Sequence, residues 1–228
     1  MATTTNEIIV LNEGYSYMEK DDDSVMVANC TCTLIKSHDC NIIVDTMTPW
    51  DGDLLLQRLQ ESCLSTDDID WVVSTHGHSD HLGNNNLFLK AKHIVGTNIS
   101  QRNRYFIHDF SIAPYRLSDT IEIVETPGHT LSCVSVLVRS SQLGPTGLVA
   151  IVGDLFERRQ DIDDERLWLD AGSENPTVQR QNRAKIAAIS DLIIPGHGAP
   201  FPVDQQLKNC LMTQLQEQSH ISVPQSSD

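Results

Sequence analysis

Apolar positions in the first part of the chain come in short β-branched blocks broken by polar turns. Residues 7–11, 25–35 and 41–44 form such blocks, with turn material at 20–23 and 37–39, and each predicts a strand. The pattern then changes. Thr48-Pro49-Trp50-Asp51 reads as a helix start, with a Thr cap, Pro at the first helical position and an acid three residues after the cap. That helix is expected to run to Leu64, with Leu55, Leu59 and Cys63 on one face. A short strand at 70–74 precedes a helix over 80–90, for which Ser79 is the cap. Further strands are predicted at 93–96, 120–124, 133–138 and 148–152, with a turn from Gly144 to Gly147 between the last two. Helices over 180–189 and 203–214 flank a strand at 191–194, and residues from Ile221 read as a loose tail. The order mixes strands and helices without a repeat or a linker. It predicts a single α/β domain over residues 8–215, between an N-terminal extension, 1–7, and a C-terminal tail, 216–228.

Composition fits this picture. A chain of 228 residues buries roughly 70% of its unfolded surface, and 39% hydrophobic with 21% charged residues is globular usage. The net charge of −15 argues against a basic groove gripping nucleic acid. The charge is uneven, however. Residues 1–70 hold 14 acids and 3 bases, 71–156 hold 6 of each, and 157–228 hold 11 and 7. No apolar run has the 18 or so residues of a membrane span. The opening residues lack the basic and apolar regions of a secretory signal. Cys30, Cys32, Cys40, Cys63, Cys133 and Cys210 form no C-x-x-C pair and read as reduced, buried thiols of a cytosolic or nuclear protein. Cys30 and Cys32, two apart, are expected to pack on one face of a strand.

The histidines bring in chemistry. Thr75-His76-Gly77-His78-Ser79-Asp80-His81 follows the apolar strand WVVS. Three imidazoles and a carboxylate in six residues gain little from burial and compete for the same protons, a conflict that a divalent metal resolves. Residues two apart on an extended loop point the same way, so His76 and His78 can grip one ion while Asp80 and His81 reach a second. More ligands are then expected downstream. Pro127-Gly128-His129, Gly153-Asp154 and Pro195-Gly196-His197-Gly198 each place one ligand-type side chain after an apolar strand and a small or turn residue.

His76, His78, Asp80, His81, His129, Asp154 and His197, with their flanking glycines, resemble the full ligand set of the metallo-beta-lactamase fold superfamily, in its order. The resemblance implies an αββα sandwich of two mixed β-sheets flanked by helices. It implies that His76, His78 and His129 bind one metal and Asp80, His81 and His197 the other, with Asp154 bridging and Asp80 also catalytic. Asp45, after the strand NIIV, resembles the aspartate that steadies the ligand loop, its other reading being a turn carboxylate. Two divalent ions about 3.5 to 4 Å apart acidify a shared water and stabilise the oxygens of an in-line displacement, so no Ser or Cys nucleophile is required. Zn²⁺ suits the mixed shell, with Fe or Mn as alternatives.

Residue types separate branches of the superfamily. Asp154 stands where lactam-cleaving members carry a zinc-bound cysteine, and His78 where flavo-diiron proteins carry Glu. The 42 residues between Asp154 and His197 leave no room for the inserted domain of cleavage-factor nucleases, and the 31 after His197 are too few for the helical domain of typical glyoxalase II enzymes. Val44-Asp45-Thr46 with Pro49-Trp50, residues 74–84, and Gly153-Asp154-Leu155-Phe156 resemble a small branch associated with cutting the 3′ end of histone pre-messenger RNA. That implies an endoribonuclease with an RNA substrate, acting as a homodimer in cytoplasm and nucleus, with no membrane. Two rivals are a small-molecule thioester or lactone hydrolase of glyoxalase II type and an inert scaffold that retains the fold.

Arg102, Arg104, Arg158, Arg159, Arg180 and Arg183 could line a phosphate-bearing substrate, since Arg forks onto phosphate oxygens; the competing reading is a solvated face. His38, His93, His108 and His220 lack motif partners, and Trp50, Trp71 and Trp168 read as core or edge aromatics. The acidic excess lies mostly before residue 71, so two bound cations would make the neutral stretch carrying most ligands locally positive.

Overall fold

Strand pairing in the computed structural model, which describes residues 6–140 and 146–221, builds two sheets and a separate hairpin. The seven-stranded sheet has the order β1 (Glu7–Asn12), β4 (Cys32–Lys36), β5 (Asn41–Val44), β6 (Trp71–Ser74), β7 (Lys92–Val95), β8 (Asn98–Gln101), β9 (Arg104–Phe106). The six-stranded sheet runs β10 (Tyr115–Arg116), β11 (Ile121–Glu125), β12 (Val134–Arg139), β13 (Leu148–Gly153), β14 (Leu192–Pro195), β15 (Phe201–Pro202). The hairpin is β2 (Tyr15–Glu19) with β3 (Asp22–Asn29). Helices are α1 (Gly52–Glu61), α2 (Ser79–Leu82), α3 (Arg166–Leu169), α4 (Pro176–Ile189) and α5 (Gln205–Ile221). None is long and apolar enough to cross a membrane.

The layering follows from side-chain alternation. Ile42, Val44, Val73 and Ile94 point from the first sheet into the space between sheets, where Ile123, Val136, Val149, Ile151 and Ile194 meet them. Ile43 and Val72 point outward and are covered by Leu55 and Leu59 of α1. Ala150, Val152 and Ile193 face outward from the second sheet beneath Ala184 and Ala187 of α4 and Leu207 and Leu211 of α5. Strands apolar on both faces need a sheet on one side and helices on the other. The result is the αββα sandwich of two mixed sheets.

Pairs β5–β6, β6–β7 and β13–β14 are parallel. Backbone bonds from Val134 N to Thr75 O (2.9 Å) and from Thr31 N to Gly196 O (2.6 Å) join the loops following β6 and β14 to the opposite sheet. Those loops carry His76 to His81 and His197.

Several elements differ from expectation. The 25–35 block splits between β3 and β4 at Cys30-Thr31, and the thiols of Cys30 and Cys32 share the core beneath α1. A 3-10 turn at Pro49–Asp51 precedes α1, with the Asp51 carboxylate accepting from Thr48 N and Oγ1. The helix stops at Glu61, and Cys63 is exposed in the left-handed region at φ 59° rather than on the buried face. Of the other thiols, Cys40 and Cys133 are buried and Cys210 is half-buried. The 80–90 helix is only α2 plus a 3-10 turn at Asn85–Leu87, capped by His78 rather than Ser79. Poor helix formers and anchoring explain the break: Asn84 Nδ2 donates to Thr46 O and Thr48 O (both 2.7 Å), and Gly83 N to Met47 O. Helix α4 starts earlier than expected, with Asn175 capping Val178 N. Helix α5 continues past position 215 to Ile221, and residues 222–228 of the expected tail lie outside the described residues, as do Gly144 and Pro145 of the turn expected from Gly144 to Gly147. Trp168 is buried and Trp71 half-buried, but Trp50 is 89% exposed.

Candidate metal centre

Each motif sits where a strand ends at one edge of the sandwich. His76, His78, Asp80 and His81 follow β6, His129 follows β11, Asp154 follows β13 and His197 follows β14. Ligand-type residues beyond the carboxyl ends of strands are the common arrangement in α/β sheets. The structure brings all seven together. Ligand atoms of His76, His78, His129 and Asp154 lie within 4.8 Å of one another, as do those of Asp80, His81 and His197. Asp154 is the hub: its oxygens lie 3.5 Å from His76 Nε2, 3.2 Å from His81 Nε2, and 3.3 Å from both His129 Nε2 and His197 Nε2. Asp80 Oδ2 is 3.6 Å from His81 Nε2 and 3.8 Å from His197 Nε2.

Hydrogen bonds on the outer ring nitrogens decide which atoms are free to bind. His81 Nδ1 donates to Asp45 Oδ2 (2.9 Å), His129 Nδ1 to Gly172 O (2.7 Å) and His197 Nδ1 to Asn29 O (3.0 Å). His76 Nδ1 lies 3.2 Å from Thr75 Oγ1, which itself donates to Asp45 Oδ2 (3.0 Å). In that assignment Nε2 of all four presents a lone pair inward, the tautomer that a metal requires. His78 turns its Nδ1 inward, 2.9 Å from His76 Nε2 and 3.0 Å from His129 Nε2. Three nitrogens converging this closely cannot all be satisfied by one another's protons. His81 Nε2 and Asp154 Oδ1, though 3.2 Å apart, are buried without a well-formed hydrogen bond to any described residue. Orphaned donors and acceptors in a pocket of nitrogen and oxygen ligands fit divalent cations.

Asp45 is bonded to both ends of the ligand loop, to Thr75 and to His81. Buried and held at φ 57°, it accepts from Thr75 N (2.7 Å) as well as from Thr75 Oγ1 and His81. A strained non-glycine backbone persists only where its surroundings over-determine it, and here three bonds do so. Glycine is required at two other points. A Cβ on Gly196 would fall on Asp154 Oδ1, and one on Gly153, at φ 50°, on Thr75 Oγ1. Gly196→Ala is therefore expected to lower bound metal measurably, whereas Gly77→Ala, with open space around the new methyl, keeps it; metal content of the two variants is the check.

Protonation divides the histidines of the metal-free site: His76 and His78 are held neutral, as ligands must be, whereas His81 and His197 carry protons that a metal has to displace. Burial and neighbouring imidazoles push His76 well below its ordinary value, and burial with His129 lowers His78. Burial is the largest single influence on His81 and His197 and opposes their protonation, but the neighbouring carboxylates together outweigh it, Asp154 with Asp45 at His81 and Asp154 with Glu157 at His197, and His197 rises to about 9. Asp154 is held well below the usual carboxylate range because His81, His197 and His76 outweigh its burial. Glu157 rises to about 8 through burial and the adjacent Asp154. Metal-free protein thus holds protons on Glu157, His81 and His197 that the unfolded chain releases at lower pH. Its stability must fall as pH rises from about 7.5 to 9, a window in which His76 and His78 have lost their protons in the folded and the unfolded chain alike and contribute nothing. The melting temperature of chelated protein is expected to drop by on the order of 5 °C across that window. Divalent metal should remove the trend, because ligands bind it deprotonated. A flat profile for chelated protein would contradict these assignments.

Two contributors lie outside the sequence reading. Glu157, 1% exposed, places a carboxylate 3.7 Å from His197 Nε2 and groups with Asp154 and His197 as a further set of ligand atoms. Its spacing of three from Asp154 was the available signal, hidden in the acidic run that follows. Gln179 donates from Nε2 to Asp154 O (2.9 Å) and accepts from Ser173, tying α4 to the ligand loop; nothing in its sequence context marks it. His38, His93 and His108 stay apart, bonded to Asp39, Phe88 O and Ala113 O; the side chain of His220 lies outside those described.

Known proteins resemble this chain in sequence and in fold. The family model of the metallo-beta-lactamase superfamily matches residues 25–197. Metallo-beta-lactamase domain-containing protein 1 of Xenopus laevis is 42% identical over 201 residues, 87% of this chain and 82% of that protein. Its namesake in Homo sapiens is 39% identical over 165 residues, 71% of this chain and 59% of the human protein, so the chain matches less than two thirds of that length. A solved N-acyl homoserine lactone hydrolase, with its product bound at the catalytic metal center, superposes with a TM-score of 0.61 at 17% identity, covering 86% of this chain and 94% of that one. The metallo-beta-lactamase FIM-1 from Pseudomonas aeruginosa, in its mono-zinc form, gives 0.61 at 20% identity over 91% of each chain. Such identities carry the fold alone, but the family match and the frog relative carry the family. This chain belongs to the metallo-beta-lactamase superfamily of metal-dependent hydrolases.

Proposed function

We propose that this chain is a two-metal endoribonuclease, and that histone pre-messenger RNA, cut at its 3′ end, is its substrate class. The observation that carries the hydrolytic part is Asp154, whose one carboxylate lies within 3.5 Å of four inward-facing imidazole nitrogens. His76, His78 and His129 would hold one ion and Asp80, His81 and His197 the other, with Asp154 between them. Zn²⁺ suits these donors, with Fe or Mn as alternatives. Such ions supply an acidified water and charge neutralisation at phosphoryl oxygens. The chain's own residues do the rest. Asp45, Asn29 O and Gly172 O fix the rings of His81, His197 and His129 through Nδ1. Asp80, 18% exposed where Asp154 is 5%, is the more accessible carboxylate; its Oδ2 faces His81 and His197 on the ligand side, and its other oxygen would be the one left to accept a proton from water.

The RNA assignment is supported by the motif resemblance of residues 44–50, 74–84 and 153–156 and by the 42% identity to the frog protein; Asp154 in place of a thiol speaks against lactam cleavage alone. The same resemblance supports a homodimer working in cytoplasm and nucleus. The test is a side-by-side assay of metal-loaded protein on single-stranded RNA, a thioester and a lactone. RNA cleavage lost in Asp80→Ala and His197→Ala is the expected result. Thioester or lactone turnover without RNA cleavage would replace the reading with a small-molecule hydrolase, and metal binding with no turnover would leave a scaffold.

A further inference from the structure

The six arginines that could meet a phosphate do not stand alike in the fold. Arg183 is fully buried and bonded to Asp161 at 2.8 and 3.2 Å, and Arg180 is bonded to Glu165 at 2.7 and 3.3 Å; both are committed to structure. Strand β8 runs antiparallel to β7, which puts Gln101, and with it Arg102 and Arg104, beside the start of β7, at the end of the sheet away from His76. Arg159 is paired with Asp163 at 3.1 Å. Arg158 is different. It is half-buried, and no carboxylate lies within ion-pair distance of its guanidinium among the described residues. One of its nitrogens, Nη1, donates to Ser16 O at 2.7 Å, while Nε is buried without an acceptor.

Arg158 also borders an open cavity of about 410 Å³, which reaches His197 at the metal centre. The cavity is lined by Gly14, Arg158, Arg159, Gln160, His197 and Gly198 among others, and Glu13 is the one acid in its lining. Its walls are anchored to the ligand loop. Thr31 Oγ1 donates to Gly198 O (3.2 Å) and accepts from Gly14 N (3.0 Å), and a Cβ on Gly198 would lie 3.0 Å from Cβ of Arg158. The bond to Ser16 O holds the guanidinium against hairpin β2–β3, so part of its ordering is already in place before a ligand arrives.

We propose that this cavity is an oxyanion subsite, in which Arg158 binds the RNA phosphate next to the one being cut. The inference rests on the phosphodiesterase reading given above and adds its substrate requirement: a diester that carries a neighbouring phosphate is preferred over one that does not. With Nη1 on Ser16 O and Nε buried, Nη2 is the nitrogen left to meet a phosphate oxygen, in a charge-assisted contact that a partly desolvated site strengthens.

Metal-loaded wild type, Arg158→Gln and Arg158→Lys would be assayed on bis(p-nitrophenyl) phosphate, on the dinucleotide UpU, and on UpU with an extra phosphate at its 5′ or its 3′ end. Melting curves of each variant establish folding, and the Lys variant keeps the charge where the Gln variant loses it. Wild type is expected to favour one of the phosphate-bearing dinucleotides over UpU by at least tenfold in kcat/KM, mostly through KM. Arg158→Gln should remove most of that preference, and Arg158→Lys should restore part of it. Equal kcat/KM for UpU and both phosphorylated forms in wild type, or an undiminished preference in folded Arg158→Gln, would overturn the subsite. Failure of wild type to cleave any of these diesters would instead overturn the phosphodiesterase reading itself.

Discussion

Asp154→Ala is expected to lower hydrolysis by roughly 10³-fold or more, about 4 kcal/mol of transition-state stabilisation. The reason is positional. One carboxylate lies 3.2 to 3.5 Å from His76, His81, His129 and His197, so its loss removes the group common to both sets of donors. The four imidazoles then face one another without an anion between them, and cations bind less tightly. Activity on a phosphodiester, measured with bound metal in the same sample, is the check. Retention of more than a tenth of wild-type activity would mean that Asp154 does not join the two sets.

The largest loss of stability is expected from Asp161→Ala. Asp161 and Arg183 are both fully buried, and the carboxylate accepts from Arg183 Nη1 and Nη2 and from Glu157 N (2.8 Å). Arg183 also donates to Leu155 O (3.0 Å) and stacks 4.2 Å from the Phe156 ring. Removing the acid strands a buried guanidinium and frees the backbone of the segment that carries Asp154 and Glu157. A half-broken buried pair costs about 3–5 kcal/mol, equivalent to a fall in melting temperature on the order of 10 °C for a domain of this size. Replacing both partners, as Asp161→Leu with Arg183→Met, should recover much of the loss, because no unpaired charge is left behind. A loss below about 1 kcal/mol for the single variant would show that water reaches the pair.

The legibility of this fold in its sequence varied with how local the cause was. Strands such as Leu148–Gly153 and Leu192–Pro195 are apolar blocks of strand length and could be read directly. Residues Asn98–Gln101, Arg104–Phe106 and Phe201–Pro202 pair as edge or near-edge strands of two to four residues, too short and too polar to leave a pattern. The helix expected over 80–90 failed because Asn84 spends its side chain on the backbone of Thr46 and Thr48, a contact 36 to 38 residues away that no local window contains. The histidines and Asp154 were legible because their type has little other use beside an apolar strand. Glu157 and Gln179 were not, since a Glu in an acidic run and a Gln in a helix are ordinary until the fold buries them beside the site. Nor could spacing sort the arginines: Arg180 and Arg183 lie one helical turn apart and both prove structural, while the adjacent Arg158 and Arg159 differ in that Arg159 pairs with an acid and Arg158 is held by Ser16 O.

The central claim is that these seven side chains hold two divalent ions. A crystal of protein prepared without chelator, with diffraction recorded on both sides of the Zn, Fe and Mn absorption edges, tests it most directly. Two anomalous peaks per chain are predicted, one among His76, His78 and His129 and one among Asp80, His81 and His197, with Asp154 touching both. No peak, or peaks lying away from these residues in crystals grown with added metal, would contradict the account.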